Sequence, residues 1–187
     1  FLQTADDPEM KHLYYDEFHF PKSKFEIAKL FLFDISGLNF IKYKLMKLVY
    51  IIRHINQLEA KEFLSILTVL VTFVALYYIG IAKDILLFWI IPYATLYQTL
   101  NRIRLSTEHF NITDVNLFKT RSVIPSVIEK FFFTPYNLGY HVEHHLYPSV
   151  PFYNLPKLHE ILMKKADYKE NVIVHTSYIR VLKDFIR

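Results

Sequence analysis

The chain has 187 residues, 52% of them hydrophobic and 17% aromatic, no cysteine, and a formal charge of +4 with an isoelectric point near 9.1. That length accommodates one domain with a real core, and the absence of cysteine excludes disulfides, thiolate metal sites and an iron–sulfur cluster of the chain's own, so any redox electrons come from another protein. The apolar and aromatic content leans toward a membrane, the modest positive charge suits lysines and arginines beside anionic lipid, and no basic stripe with base-stacking residues marks a nucleic-acid partner.

The first residues, Phe1 to Pro8, lack the basic start and apolar core of a signal peptide. Asp6, Asp7 and Glu9 flank Pro8 and predict a turn, either a solvated acidic loop or a cap for the next segment. His12 and His19 fall in a polar, aromatic stretch without ligand spacing. From Lys24 to Ile55, the residues Leu38, Ile41, Leu45, Leu48 and Ile52 recur at helical spacing with lysines between them. Such a segment suits a helix lying along the membrane interface; an ordinary amphipathic helix packed on a cap fits the same pattern. Gly37 and Asn39 mark a break between two shorter helices.

Phe63 to Ala82 is an uncharged apolar run, interrupted only by small hydroxyl residues, two tyrosines and Gly80, and it meets the need for about 20 apolar residues in a spanning helix. Lys83 and Asp84 follow, and Ile85 to Leu100 is a second, shorter run containing Pro92, a residue that kinks a helix but is tolerated in membranes. The expected spans are therefore 63–82 and 85–100, joined so closely that they form a tight antiparallel hairpin. Arg53 and Lys61 before it, and Arg102, Arg104, Lys119 and Arg121 after it, put both ends in the cytosol. The competing arrangement, two buried helices of a soluble bundle, calls for an amphipathic stripe that the first run lacks. The expected fold class is all-α: an integral membrane helical hairpin, interfacial helices and a cytosolic cap over 101–187.

Past the hairpin, Glu108 and His109 adjoin Arg102 and Arg104, an arrangement that by itself suits a surface ion pair. Pro125 initiates a helix ending in Phe131, Phe132 and Phe133, aromatics that either pack in the ordinary way or line an acyl channel. Then comes His141-Val142-Glu143-His144-His145. On a helix, positions i, i+3 and i+4 share one face, so His141, His144 and His145 can aim their ring nitrogens at a common point. Three imidazoles among Tyr140, Leu146, Tyr147, Val150 and Phe152 are costly to bury without ligands or hydrogen bonds, which favours a metal over a histidine-rich surface turn. Imidazole suits iron, zinc, copper or nickel, and the spacing selects none of them. Beyond the box, Asn154 as N-cap and Pro156 in the first turn start a helix through Leu158, Ile161 and Leu162, with Lys164 and Lys165 at its C-terminal end and His159 directed away from the box. Thr176 caps a last short helix with Tyr178, Val181, Leu182 and Phe185, and His54 and His175 have no partners at useful spacing.

The run from Asn137 to Pro151, continuing through Tyr153-Asn154-Leu155-Pro156-Lys157-Leu158-His159, resembles the third histidine box of the membrane-bound fatty acid desaturases. The resemblance is specific, because a bare HxxHH is a weak signal whereas the Tyr147-Pro148-Ser149-Val150-Pro151 continuation is hard to match elsewhere. It implies membrane helices, a cytosolic cap and two iron ions held mainly by three boxes, HxxxH or HxxxxH, then HxxHH, then HxxHH or QxxHH, of which only the last stands in this sequence. By the same resemblance Leu2 to Glu9 corresponds to the segment after the second box, so residues 1–187 are expected to be the C-terminal part of a longer desaturase domain, with the remaining iron ligands upstream. His109 is then expected to join His141, His144 and His145 as a metal ligand, and Glu108 to orient a histidine, with direct ligation or pairing with Arg102 or Arg104 as the alternatives. Asn137 and Glu143 are expected to hold ligands in place through hydrogen bonds. Some relatives place an asparagine four residues ahead of the isolated histidine, where this chain has Leu105, so no water-mediated ligand is expected there.

Removing hydrogen from an unactivated methylene takes an oxidant that side chains cannot supply and that iron with dioxygen can. The resemblance therefore implies oxygen-dependent desaturation of a fatty acyl lipid or acyl thioester, with dioxygen as co-substrate and two electrons from a ferredoxin or a cytochrome. Lys157, Lys164 and Lys165 suit an acidic electron carrier, as they suit a solvated face. Two other readings compete: a hydroxylase or ketolase using the same iron, and a non-catalytic membrane remnant or metal-binding subunit that complements a partner carrying the other boxes. In each case the portion alone is expected to be inactive, because three or four histidines do not hold two irons in the manner of the family.

Overall fold

The computed structural model describes residues 20–57, 59–110, 112, 118 and 120–186, so the expectations for Asp6, Asp7, Glu9, His12, His19 and Lys119 lie outside the described residues. The chain is mostly helical and separates into two compact units, Phe31–Thr99 and, in the other, Phe1–Leu30 with Leu100–Arg187.

In the first unit the expected break between helices falls at Gly37, between α1 (Lys24–Ile35) and α2 (Leu38–Arg53). Its φ of +78° is the left-handed conformation that glycine enters without steric cost. Leu38, Ile41, Leu45, Leu48 and Ile52 on α2 are each at least half exposed, so the apolar stripe is not buried among the described residues. Among those residues α3 (Ala60–Ile79) is the one helix long and apolar enough to cross a membrane, and none of its apolar window is buried inside the protein. Glu59 and Glu62 form a reciprocal capping box at its start. Gly80, at φ +87°, ends it, with N–H bonds from Gly80 to Tyr77 and from Ile81 to Leu76.

The second apolar run is not one continuous helix. The short α4 (Ala82–Ile85) passes into a π-helical turn over Leu86–Ile90, α5 (Ile91–Ala94) follows, and the chain bends at Thr95 (φ −117°, ψ −85°) before α6 (Leu96–His109). Pro92 accounts for this: it has no N–H to bond the carbonyl four residues back and its ring crowds that carbonyl, so the local pattern widens. The Thr95 hydroxyl and the Gln98 amide then donate to the carbonyls of Ile91 and Tyr93, at 2.8 and 3.0 Å, the kind of side-chain compensation that broken membrane helices use.

The second unit contains the histidine box. Here β1 (Ser122–Val123) pairs in parallel with β2 (Val174–His175), Ser122 opposite Val174, a two-residue ladder within an otherwise helical chain. After Pro125 comes α7 (Val127–Phe133), as expected; Phe133 packs against Tyr178 with ring centroids 5.3 Å apart, while Phe131 and Phe132 remain exposed. Four more helices follow: α8 (His141–Leu146), α9 (Leu155–Leu162), α10 (Ala166–Asn171) and α11 (Tyr178–Asp184). The cap of α11 is Ser177, whose hydroxyl accepts the Arg180 N–H at 3.2 Å, and not the neighbouring Thr176. Ser177 is the last residue with extended backbone before the helix, which is what the capping geometry demands. Phe118, Val142, Leu162 and Tyr168 form a core with Leu146, Leu158, Met163 and Val172 packed against it, each fully buried large apolar side chain stabilising the fold by about 1.5–3 kcal/mol.

Candidate metal centre

Gly139 decides where the box helix begins. Its carbonyl accepts the Val123 N–H at 2.8 Å, and a Cβ at this position would lie 2.1 Å from the Val123 carbonyl oxygen. Only glycine lets β1 pass this close. Just before it the chain turns through Tyr136 and Asn137 at φ +59° and +57°, a conformation uncommon for side-chain-bearing residues. The Asn137 amide donates to the Phe152 carbonyl at 3.1 Å, so it ties two turns together and is directed to that carbonyl instead of a box imidazole.

From this start α8 divides its residues by face. Val142 and Leu146 enter the core, Glu143 is fully buried, and His141 and His145 turn toward His109, the last residue of α6. His141 Nε2 lies 2.7 Å from His109 Nε2 and 3.0 Å from His145 Nε2. One nitrogen from each ring falls within 4.8 Å of the others, and His141 meets both neighbouring rings edge to face. Imidazole nitrogens about 2.0–2.1 Å from a transition metal stand roughly 3 Å from one another, so this donor set fits a metal. A neutral imidazole has a single N–H, and one ring here faces two others through the same nitrogen, so hydrogen bonding alone serves both contacts poorly. Burial first, and then His109 and His145, hold the His141 imidazolium well below its usual range, which leaves the neutral ring that metals take.

His144 is exposed and stands apart from this cluster, its ring centroid 6.1 Å from that of His145. Adjacent helix positions are rotated by about 100°, so i+3 and i+4 flank position i on opposite sides. With His109 approaching on the His145 side, the structure brings His109, His141 and His145 together and leaves His144 outside.

Two fully buried carboxylates frame the site. Glu108 Oε1 accepts the Tyr178 hydroxyl at 2.6 Å, and Oε2 accepts Arg104 Nε at 3.1 Å while facing His141 Nδ1 at 3.7 Å. Burial raises the Glu108 carboxyl above its ordinary range, opposed first by the Arg104 charge and then by the Tyr178 hydrogen bond. Glu143 works on the other side of α8. Its Oε2 accepts the Ser122 hydroxyl at 2.6 Å, its Oε1 accepts the Tyr168 hydroxyl at 2.6 Å, and His159 Nδ1 bonds the same oxygen. Ser122 Oγ also accepts the Val142 N–H at 3.0 Å. Glu143 thus anchors the box helix to β1, α9 and α10.

His159, expected to point away from the box, is therefore bound to it through Glu143. A signal for this existed: Leu155, Leu158, His159 and Leu162 fall at i, i+3, i+4 and i+7, so His159 shares the buried stripe of α9. Ser122, Tyr168 and Tyr178 had no such signal, since their partners lie 21, 25 and 70 residues away.

Comparison with known proteins identifies the family to which the chain is similar. A family model described as fatty acid desaturase matches residues 1–178. A dihydrorhizobitoxine desaturase of Bradyrhizobium elkanii is 33% identical over 95 residues, covering 49% of this chain and 27% of that protein. The human sphingolipid delta(4)-desaturase/C4-monooxygenase DES2 is 45% identical over 51 residues, covering 27% of this chain and 15% of that protein. A putative sphingolipid delta(4)-desaturase/C4-monooxygenase of Caenorhabditis elegans is 43% identical over 51 residues, covering 27% and 13%. The matched segments thus span 27% or less of the length of these relatives. No solved structure gives a significant match.

Proposed function

Since this chain belongs to the fatty acid desaturase family, whose members are membrane-associated oxidoreductases, we propose that it forms part of an enzyme that inserts a double bond into a fatty acyl chain at the expense of dioxygen. The observation that carries the proposal is the convergence of the His109, His141 and His145 nitrogens on one position. In this reading those three imidazoles hold one of two iron ions. His144, exposed on the same box, serves the second together with histidines that this sequence does not contain. Iron with dioxygen supplies the oxidant needed to take hydrogen from an unactivated methylene.

The side chains prepare that site. Glu108 faces His141 Nδ1, favouring the tautomer whose Nε2 is free to ligate, and Arg104 Nε bonds both oxygens of that carboxylate. The buried Glu143 network holds α8, and with it His141 and His145, in register with β1. We place α3 and the segment 85–100 across the membrane as a hairpin with both ends in the cytosol, on the strength of the uncovered apolar surface of α3 and the basic flanks. The acyl group is carried by a lipid or a thioester, and a ferredoxin or cytochrome delivers the electrons; Lys157, Lys164 and Lys165 are exposed and suit an acidic carrier.

The test is His141→Ala in the complete protein, with host lipids read by mass spectrometry. Loss of the unsaturated acyl product at equal protein level is expected, and an unchanged acyl profile defeats the reading. A second outcome has specific support, because the names of the human and nematode relatives pair desaturase with monooxygenase. A product retaining an oxygen atom from labelled dioxygen identifies hydroxylation by the same site.

A further inference from the structure

Tyr178 is a fully buried tyrosine with an exacting set of contacts. Its backbone N–H donates to Glu129 Oε2 on α7 at 2.9 Å, and the Ser177 hydroxyl before it donates to Glu129 Oε1 at 2.7 Å. Its ring lies against Phe133, also on α7, at an interplanar angle of 35°. With backbone and ring both fixed, the hydroxyl has one direction left, and it reaches Glu108 Oε1 at 2.6 Å across 70 residues of sequence. The opposite oxygen of that carboxylate faces His141 Nδ1.

A phenylalanine would fill the same space at less cost, since a buried hydroxyl is unfavourable unless it is bonded. The hydroxyl therefore has its value in what it does to Glu108. Arg104 Nε spans both oxygens of the carboxylate, at 3.3 and 3.1 Å, a single donor about which the group can still turn; the shorter Tyr178 bond at Oε1 sets its rotation, and so the angle it presents to His141. Burial and the neighbouring Glu108 both push the Tyr178 phenol upward, so the hydroxyl keeps its proton and remains the donor.

We propose that Tyr178 is a positioning residue of the metal centre, acting through Glu108 on His141 and placed by α7. The inference rests on the reading of His109, His141 and His145 as metal ligands, and its test separates the two. The full chain is purified in detergent, stripped with chelator and titrated with cobalt(II), whose visible absorption reports ligand geometry. Tyr178→Phe, which keeps the ring, is expected to weaken cobalt binding by about 10–100-fold, the range for removal of a group that supports a ligand, and to alter the cobalt spectrum. Phe185→Leu, a buried substitution at a ring that packs on Phe20 with centroids 4.8 Å apart, is expected to lower the melting temperature without moving cobalt affinity. In a Glu108→Ala background, Tyr178→Phe is expected to have no further effect on affinity. The proposal is overturned if Tyr178→Phe binds cobalt as the parent does, if Phe185→Leu weakens binding equally, or if the effects of Tyr178→Phe and Glu108→Ala simply add. If the parent chain takes up no cobalt at all, the ligand reading itself fails and this inference with it.

Discussion

No residue in the apolar window of α3 is buried among the described residues, whereas Glu108, Glu143, Val142 and Tyr178, in the other unit, have no exposed surface at all. One unit shows its leucines and valines outward, and the other hides two carboxylates. Each arrangement is intelligible only with its own solvent. A 20-residue helix with none of its apolar window buried among the described residues is long enough to cross a lipid bilayer. The second unit buries both carboxylates and must satisfy their oxygens internally, which Ser122, Tyr168, His159, Arg104 and Tyr178 do. Stability in the first is a matter of where the helix is placed, and in the second of which hydrogen bonds are made.

The sharpest way to break this contrast is a charge on α3. Leu70, exposed near the middle of the helix, becomes costly to place as lysine at the centre of a bilayer, by about 2.5–3.5 kcal/mol. On a helix facing water the same change would be close to neutral. Leu70→Lys is expected to shift the protein from the alkali-resistant membrane fraction toward the extractable one. Equal membrane retention of variant and parent would show that α3 does not face lipid.

A smaller effect is expected from Ser122→Ala in the other unit. The substitution removes the donor to Glu143 Oε2 and the acceptor for Val142 N–H in one step. Leaving such groups buried and unsatisfied costs about 1–3 kcal/mol, so thermal unfolding should move down while membrane retention stays the same. A shift no larger than that of an exposed serine, such as Ser149→Ala, would remove Glu143 from its place as the anchor of α8.

The contrast also decides what could be read in advance. The apolar run near 63–82, the break at Gly37 and the histidine box are local patterns, and each reappears within a few residues of its expected place. Pro92 announced a kink, but whether the helix bends through a π-turn depends on which carbonyls find substitute donors, and that is not a property of proline alone. The box is the instructive case. A rule that groups i, i+3 and i+4 on one face treats His144 and His145 alike; the approach of His109 from α6 makes them different. The buried tyrosines could not be read at all, because nothing in a helix period distinguishes a tyrosine that packs from one whose hydroxyl crosses 70 residues to a carboxylate.

The smallest expected effect concerns the two-residue ladder that joins the box region to the C-terminal segment. His175 on β2 donates no charge there: burial, and next the Arg121 guanidinium, lower its pKa, with Asp184 opposing. The Ile124 N–H bonds the His175 carbonyl at 2.8 Å, so the ladder and the histidine are part of one local structure. The unfolded chain binds a proton at this residue near the ordinary histidine value of about 6.5, while the folded chain resists it to lower pH. Unfolding therefore takes up a proton in that interval, and stability is full above about pH 6.5 and declines as pH falls below it, levelling once the folded form is also protonated. His175→Asn removes this dependence. The melting temperature of the parent relative to the variant should fall between roughly pH 7 and pH 5, modestly, because the ring is partly solvated. A difference that stays constant over that interval would mean that the ladder tolerates a charged His175, and that the polar discipline of this unit ends at the carboxylates beside the candidate metal centre.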